Sequence, residues 1–343
     1  MKKIGILTGG ADCPGLNSVI RAVVRKAVSE GFVVTGIKNG WTGLVQNDMK
    51  VLDLQLVSGI LDRGGTILGT SRVIPPLKKE MNEQIAENFK RSGIDALIAV
   101  GGEDTLKIGL ALFEQYKMPI IGVPKSVDNS LTGTDYAFGF DTAVNIATQC
   151  IDRLHTTAES HHRIIVIEVM GRYTGWIALE AGIAGGADII LVPEFPVKIE
   201  ELCDSLRSRH KRGKTFSIIV ISEGTIIEGY SNENEIERQE NIRHHRVSRV
   251  GELVADLIET KTGFETRVSV LGHIQRGGSP TAFDRIISTR FGFHAVELVK
   301  QEKYGMMVSI HENKLRAVPI KEAVSKHKAI EPDIYDIAKV FAA

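Results

Sequence analysis

Ala96-Leu97-Ile98-Ala99-Val100-Gly101-Gly102-Glu103-Asp104-Thr105 decides how the rest of the chain is read. The apolar run 96–100 predicts a strand buried on both faces, as in a parallel sheet covered by helices. Gly101 and Gly102 then let the backbone turn sharply and approach a ligand closely. Two carboxylates follow, and Thr105 is a good N-cap for a helix over 106–115. A strand, a glycine turn and a helix N-terminus together suit an anion. Because this turn carries acids, a phosphate there calls for a hard cation such as Mg2+ between them. The fragment suggests phosphoryl chemistry, but a second reading stands beside it. Gly-Gly after a strand is common in α/β proteins, and acids at a helix start also complement its dipole.

The next strand, 119–123, leads into Pro124-Lys125-Ser126-Val127-Asp128-Asn129-Ser130. Consecutive strands in such sheets are usually neighbours, and ligands bind beyond their carboxyl ends. Glu103, Asp104, Lys125 and Asp128 are therefore expected to share one crevice.

A length of 343 residues exceeds one comfortable core and predicts two α/β lobes. The 42 basic residues balance 42 acidic ones, which argues against nucleic acid or a membrane as partner. Apolar runs such as 164–169 are strand-length, far short of a membrane span. Met1-Lys2-Lys3 leads directly into a strand without a signal-peptide core, and the three cysteines, Cys13, Cys150 and Cys203, are too scattered for a disulfide or zinc framework. The expectation is a cytoplasmic enzyme.

Along the chain, strand 4–7 is followed by Thr8-Gly9-Gly10-Ala11-Asp12-Cys13-Pro14-Gly15 and an amphipathic helix over 17–30. A small-residue loop in that position is a phosphate cradle by geometry, although neither a P-loop nor a Gly-x-Gly-x-x-Gly pattern is present. Strand 33–38 ends at Asn39-Gly40-Trp41, where Trp41 is read as a wedge against the core. A second glycine-rich loop, 63–72, begins and ends with arginine; Arg72 beside a phosphate crevice is a candidate to neutralise a transferring group. Helix 80–92 precedes the central strand. From a long helix over 141–157 a second series begins: strand 163–169, Met170-Gly171-Arg172-Tyr173-Thr174-Gly175, a helix through 184, strand 188–192, helix 199–210 and strand 216–222 ending at Glu223. Polar 230–246, with His244-His245, reads as exposed surface. Helix 247–261 and strand 265–270 lead to Leu271-Gly272-His273-Ile274-Gln275-Arg276-Gly277-Gly278-Ser279-Pro280. Arg163, Arg172, Arg267, His273 and Arg276 lie in or near strand ends and suggest a second anion pocket. The tail from 305 reads as short strands and closing helices.

Several separated motifs now resemble the 6-phosphofructokinase family along nearly the whole length: Gly-Gly-Glu-Asp-Thr at 101–105, Pro-Lys-Ser-Val-Asp-Asn at 124–129, Met-Gly-Arg at 170–172 and Gly-His-Ile-Gln-Arg-Gly-Gly-Ser-Pro at 272–280. His155-Thr156-Thr157-Ala158-Glu159-Ser160-His161 is similar to the mixed-donor, actinomycete-type branch, which includes diphosphate-dependent members. The resemblance implies two similar Rossmann-like three-layer lobes with mainly parallel sheets and a substrate cleft between them. It implies a phosphoryl-donor lobe at 1–139 plus 256–307 and a fructose 6-phosphate lobe at 140–255 plus 308–343. It also implies Asp128 as general base toward the sugar 1-hydroxyl, Glu103 as the Mg2+ ligand, and Arg72 and Arg172 near the transferring phosphoryl. Gly10, Ala11, Arg72 and Gly102 are implied donor contacts. Ser126, Val127, Asp128, Met170, Gly171, Arg172, Glu223, His273, Ile274, Gln275 and Arg276 are implied sugar-phosphate contacts, with Arg163 and Arg267 reaching in from a neighbouring subunit of a homodimer or homotetramer.

Two departures mark this chain. Ala11 stands where the family usually has glycine, and a positive φ there would be costly. Ser130 replaces the usual aspartate. Of the effector pocket of bacterial relatives, Arg21, Arg25 and Asp188 remain, while Leu54 and His155 replace basic residues, which argues against nucleotide control. ATP-using members usually have glycine at the position of Asp104 and often at that of Lys125; Asp104 would meet the α-phosphate of a nucleotide. The resulting expectation is conversion of fructose 6-phosphate to fructose 1,6-bisphosphate with diphosphate as donor and Mg2+ as cofactor, Asp104 and Lys125 setting the donor. The alternatives are ATP as donor, a NAD or lipid kinase, and a catalytically weakened paralogue that only binds sugar phosphate.

Overall fold

The structure, a computed structural model, describes residues 1–71, 73, 77–230 and 249–341. Arg72 and the His244-His245 pair lie outside the described residues. The chain forms two units, Met1–Thr142 with Arg276–His327, and Ala143–Gln275 with Lys328–Ala343.

The first unit is built on seven strands: β1 (Lys3–Gly9), β2 (Val33–Ile37), β3 (Met49–Leu52), β4 (Ala96–Gly101), β5 (Ile120–Pro124), β10 (Met306–His311) and β11 (Lys314–Pro319). They lie in the order β11-β10-β5-β4-β1-β2-β3. The inner five run parallel, and the two outermost strands pair antiparallel. Every residue of β4 is buried, as its continuous apolar run predicts. On one face Leu97 and Ala99 join Ile85 and Phe89 of α3 (Lys79–Ser92) and Leu106 and Leu112 of α4 (Glu103–Tyr116). On the other, α1 (Leu16–Ser29) packs on α9 (Ala282–Lys300). A Cβ added at Gly292 of α9 would lie 2.8 Å from the Val19 carbonyl, so the missing side chain permits that close approach.

The second unit has four parallel strands, β6 (Ile164–Val169), β7 (Ile189–Leu191), β8 (Ser217–Ser222) and β9 (Thr266–Val270), in the order β7-β8-β6-β9. Val166, Ile219 and Ile221 pack with Leu202 and Leu206 of α7 (Ile199–Lys211) and with Val254 and Ile258 of α8 (Val250–Thr262). Ile190 sits close to Gly182 of α6 (Trp176–Ala184), and α11 (Pro332–Phe341) packs on β7. Each unit is a three-layer α/β lobe with a mainly parallel sheet, the expected fold class.

The expected lobe boundaries shift. Segment 256–275 belongs to the second unit because β9 hydrogen-bonds to β6, and 308–327 belongs to the first because β10 and β11 extend its sheet beside β5. Helix α4 begins at Glu103 with Gly102 as its N-cap, so Thr105 is not the cap. Its side chain instead fills the space a Cβ would need on Gly9 and Gly101, 2.6 and 2.4 Å away. The long helix α5 (Phe140–His161) runs four residues further than its apolar pattern indicated. A short helix α2 (Trp41–Gln46), strand β3 and helix α9 were not read from the sequence.

Candidate active site

Three loops emerge from adjacent carboxyl ends of β1, β4 and β5, beside the point where the strand order reverses between β1 and β4. The first turns at Gly10, whose φ of 76° is left-handed. Ala11 is not among the described residues with positive φ, so the expected backbone penalty is absent: Gly10 makes the turn. Gly10 is also tied to the second glycine-rich loop, its N–H donating to the Ser71 carbonyl at 3.1 Å and its carbonyl accepting from the Thr70 hydroxyl at 2.6 Å. Asn17, buried at the start of α1, shapes that loop by donating to the Arg63 and Gly64 carbonyls and accepting from the Ile67 N–H.

Lys125 extends from the β5 loop into the space between these turns. Its Nζ lies 3.6 Å from where a Cβ on Gly10 would be and 3.8 Å from the corresponding point on Gly102. The side chain is buried, and among the described residues no hydrogen bond or ion pair reaches its ammonium. Burial pushes the Lys125 pKa down; Arg276 adds to this, while Cys13, Asp128 and Asp12 oppose it. A desolvated ammonium flanked by glycine backbone is well suited to a compact polyanion.

Asp128 follows on the same loop. The Ser126 and Ser130 hydroxyls both donate to its Oδ1, at 2.6 and 2.9 Å. Val127, between Ser126 and Asp128, is buried. Arg276, expected among the sugar-phosphate contacts, donates instead to Asp12 Oδ1 at 2.8 Å, and its Nε is buried without a hydrogen-bond partner.

Glu103 and Asp104 occupy the first turn of α4. Glu103 bridges to Lys107 at 2.5 Å and to His327 at 3.4 Å. Among the described residues no group of three or more His, Cys, Asp or Glu could hold a metal by protein ligands alone. A single carboxylate such as that of Glu103 suffices for Mg2+, which is commonly held by one or two carboxylates together with substrate phosphates and water.

In the second unit the loops after β6, β8 and β9 are fastened to one another. The Gly171 carbonyl accepts from the Ser222 hydroxyl and the Gly224 N–H, while the Glu223 N–H donates to the Val169 carbonyl. A Cβ on Gly171 would fall 2.3 Å from Ser222 Oγ, so only glycine allows this contact. Gln275, fully buried, accepts from the Met170 N–H and donates to the Gly272 carbonyl. Its amide is engaged in holding loops together, which a sugar-phosphate contact would not require. Met170, Gly171, Arg172 and Glu223 are thus brought together on one edge, with exposed His273 and Ile274 on the loop that Gln275 anchors.

The pattern of the phosphofructokinase family matches residues 3–299. The chain belongs to the phosphofructokinase family. It is 49% identical over 340 residues to a Streptomyces coelicolor protein named pyrophosphate--fructose 6-phosphate 1-phosphotransferase, covering 99% of both chains. It is also 45% identical over 332 residues to the ATP-dependent 6-phosphofructokinase 3 of the same organism, covering 96% of this chain and 97% of that one. Among solved structures, phosphofructokinase from Saccharomyces cerevisiae superposes with a TM-score of 0.82 at 31% identity, covering 99% of this chain and 47% of that chain. This phosphofructokinase thus spans under half the length of its yeast relative.

Two of this phosphofructokinase's expected site residues lie apart from the rest. Arg163 precedes β6 and Arg267 is near the start of β9, at the amino edge of the sheet whose carboxyl edge carries Met170 and Glu223. Strands rise about 3.3 Å per residue, so β6 separates the two edges by roughly 20 Å. Both arginines bind one carboxylate oxygen, Glu265 Oε1, at 2.9 and 2.5 Å. The hydrogen bond from Arg163 is the main reason the Glu265 carboxyl is held below its usual range. Of the partial effector motif, Asp188 is bound by Arg209 and the Ile218 N–H within the second unit. Sequence reasoning did not single out Asp12, Lys107 and His327 as partners of site residues; only tertiary proximity reveals them.

Proposed function

We propose that this chain transfers a phosphoryl group from diphosphate to the 1-hydroxyl of fructose 6-phosphate, giving fructose 1,6-bisphosphate and phosphate. The observation that carries this reading is Lys125, a buried ammonium between two glycine turns that has no ion-pair partner among the described residues. The family and the diphosphate-dependent relative point the same way. Gly10, Ala11, Gly102, Glu103, Lys125, Asp128 and Arg276 belong to the first unit, and Met170, Gly171, Arg172, Glu223 and His273 to the second.

Asp128 accepts the proton of the 1-hydroxyl as that oxygen attacks the terminal phosphorus of diphosphate. The bridging P–O bond breaks, and inorganic phosphate leaves with its electron pair. Lys125 and the Gly10, Ala11 and Gly102 backbone offset the charge gathering on the leaving group. Arg72 and Arg172 are assigned to the transferring group itself. Glu103 would hold Mg2+, which supplies charge neutralisation to the donor phosphates. The Lys107 ammonium must then share or release that carboxylate.

Met170, Gly171, Arg172, Glu223, His273 and Arg276, with Ser126, Val127 and Ile274 from the flanking loops, are proposed to bind the sugar phosphate, while buried Gln275 anchors the loop that carries His273. Arg163 and Arg267 complete a neighbour's site in a homodimer or homotetramer. A cytoplasmic location is part of this reading; separately, among the described residues no helix is long and apolar enough to cross a membrane. A coupled assay with purified protein, fructose 6-phosphate and either diphosphate or ATP tests the donor. Efficient turnover with diphosphate is expected; good use of ATP with none of diphosphate overturns the assignment.

A further inference from the structure

The loop that carries Asp128 is held rigidly. The Lys125 N–H donates to the Gly101 carbonyl at 3.1 Å and the Ser126 N–H to the Phe138 carbonyl at 3.3 Å. Asn129 is buried with a left-handed φ of 52°, which asparagine tolerates better than most residues. Its side chain accepts from the Ala137 N–H at 3.0 Å and donates to the Asp135 carbonyl at 3.2 Å. This single left-handed residue reverses the chain so that residues 128 and 130 both point at Ser126.

The result is a directed set of hydrogen bonds. The Ser130 N–H donates to Ser126 Oγ at 3.2 Å, the Ser126 hydroxyl donates to Asp128 Oδ1, and the Ser130 hydroxyl donates to the same oxygen. Two donors on one carboxylate oxygen fix the plane of the carboxyl group, because rotation about the Cβ–Cγ bond breaks both at once. Hydrogen bonds to an ionised acceptor are roughly twice as strong as neutral ones. An ionised aspartate at position 130 has no proton to donate and would place a second negative charge beside the first. Serine is therefore chemically different there, and its hydroxyl is engaged with the candidate base.

We propose that Ser130 is a positioning residue for the Asp128 carboxylate: its hydroxyl holds Oδ1 and thereby aims the carboxyl group at the sugar hydroxyl. This rests on the reading of Asp128 as the general base. The change at position 130 then supports the reaction and does not mark a weakened, binding-only protein. With one of these two donors removed, the carboxylate is held less firmly in the geometry a proton transfer needs, and misplacement of a catalytic group by about 1 Å can cost about a hundredfold.

The experiment compares the full-length wild type with Ser130→Ala, Ser130→Thr, Asp128→Asn and the Asp128→Asn/Ser130→Ala double variant, using diphosphate and fructose 6-phosphate. Ser130→Ala is expected to lower kcat about tenfold, a modest share of the loss expected for the base itself, with the KM for fructose 6-phosphate and the thermal midpoint unchanged. Ser130→Thr, which keeps the hydroxyl, restores most of kcat. In the Asp128→Asn background, removing the Ser130 hydroxyl costs nothing further, because the two residues act as one unit. A loss of thermal stability in proportion to activity, without rescue by threonine, assigns Ser130 to loop structure and overturns the proposal. Wild-type kcat in Ser130→Ala alongside a collapsed Asp128→Asn defeats the positioning role alone. Near-normal turnover in Asp128→Asn defeats the base assignment and this inference together.

Discussion

The ammonium of Lys125 stands 3.6 Å from the point where a Cβ on Gly10 would lie. The two residues are far apart in sequence, yet they form facing walls of one small space. Gly10→Ala would fill that space at ordinary contact distance and force alanine into a left-handed φ, which costs about 1–2 kcal/mol. We expect the variant to fold with a thermal midpoint lowered by a few degrees and a KM for diphosphate raised at least about tenfold. Steady-state kinetics with diphosphate varied checks this; unchanged KM would separate Gly10 from the donor site.

Lys125→Met should separate stability from activity. Burial depresses the pKa of Lys125 in the folded protein. Between that lowered value and the ordinary lysine value the unfolded chain binds the extra proton, so the lysine penalises folding at neutral pH and the penalty fades as pH rises. Without bound donor, Lys125→Met is expected to be more stable than wild type at pH 7 by about 1 kcal/mol. The gap should narrow as pH climbs toward 10, while diphosphate turnover is lost. Calorimetry across that pH range reads the sign directly, and a destabilised variant at pH 7 contradicts it.

Asp104→Gly tests donor choice. Two unit charges about 4 Å apart repel by about 4 kcal/mol at an effective dielectric near 20, an upper-end figure equivalent to roughly a thousandfold in affinity. Removing the carboxylate is expected to bring measurable ATP-dependent turnover while the diphosphate reaction persists. The ratio of kcat/KM for the two donors is the readout; no gain with ATP removes Asp104 as the determinant.

Arg163 and Arg267 lie at the opposite edge of their sheet from Met170 and Glu223, so strand length keeps them from the loops of their own protomer that are proposed to bind the sugar phosphate. An inactive Arg163→Ala variant mixed with an inactive Asp128→Asn variant should regain activity through hybrid sites. With random exchange of symmetric subunits the ceiling is about a quarter of wild type. If hybrid oligomers are demonstrated by mass and remain inactive, the sites are not shared.

Much of this fold could be read along the chain. The strands β4, β5, β6 and β8 are mainly apolar and buried along their whole length, and each ends close to its expected residue. Helix α9 escaped because its buried stripe includes Asp284, Ser288 and Gly292, which interrupt the apolar period. Helix α2 is only a few residues long and starts at Trp41, whose ring is buried in the core. The start of α4 was misplaced because Thr105 suits a cap by type, whereas the structure uses its side chain against two glycines. The motif loops of the site were legible because glycine, acid and base cluster at strand ends. The Asp12–Arg276 pair, the His327–Glu103 contact and the buried role of Gln275 were not, since each depends on segments that meet only in three dimensions.

The order of strands has a cost during synthesis. β5 ends at Pro124, but β10, its neighbour on one side, begins at Met306, about 180 residues later. At about 5–20 residues per second a ribosome needs roughly 10–40 s to cover that interval. Throughout it, the apolar strand Ile120–Pro124 presents an open edge able to pair with another chain. Nascent chains stalled just short of Met306 should therefore aggregate or recruit chaperones, and those released after Pro319 should not.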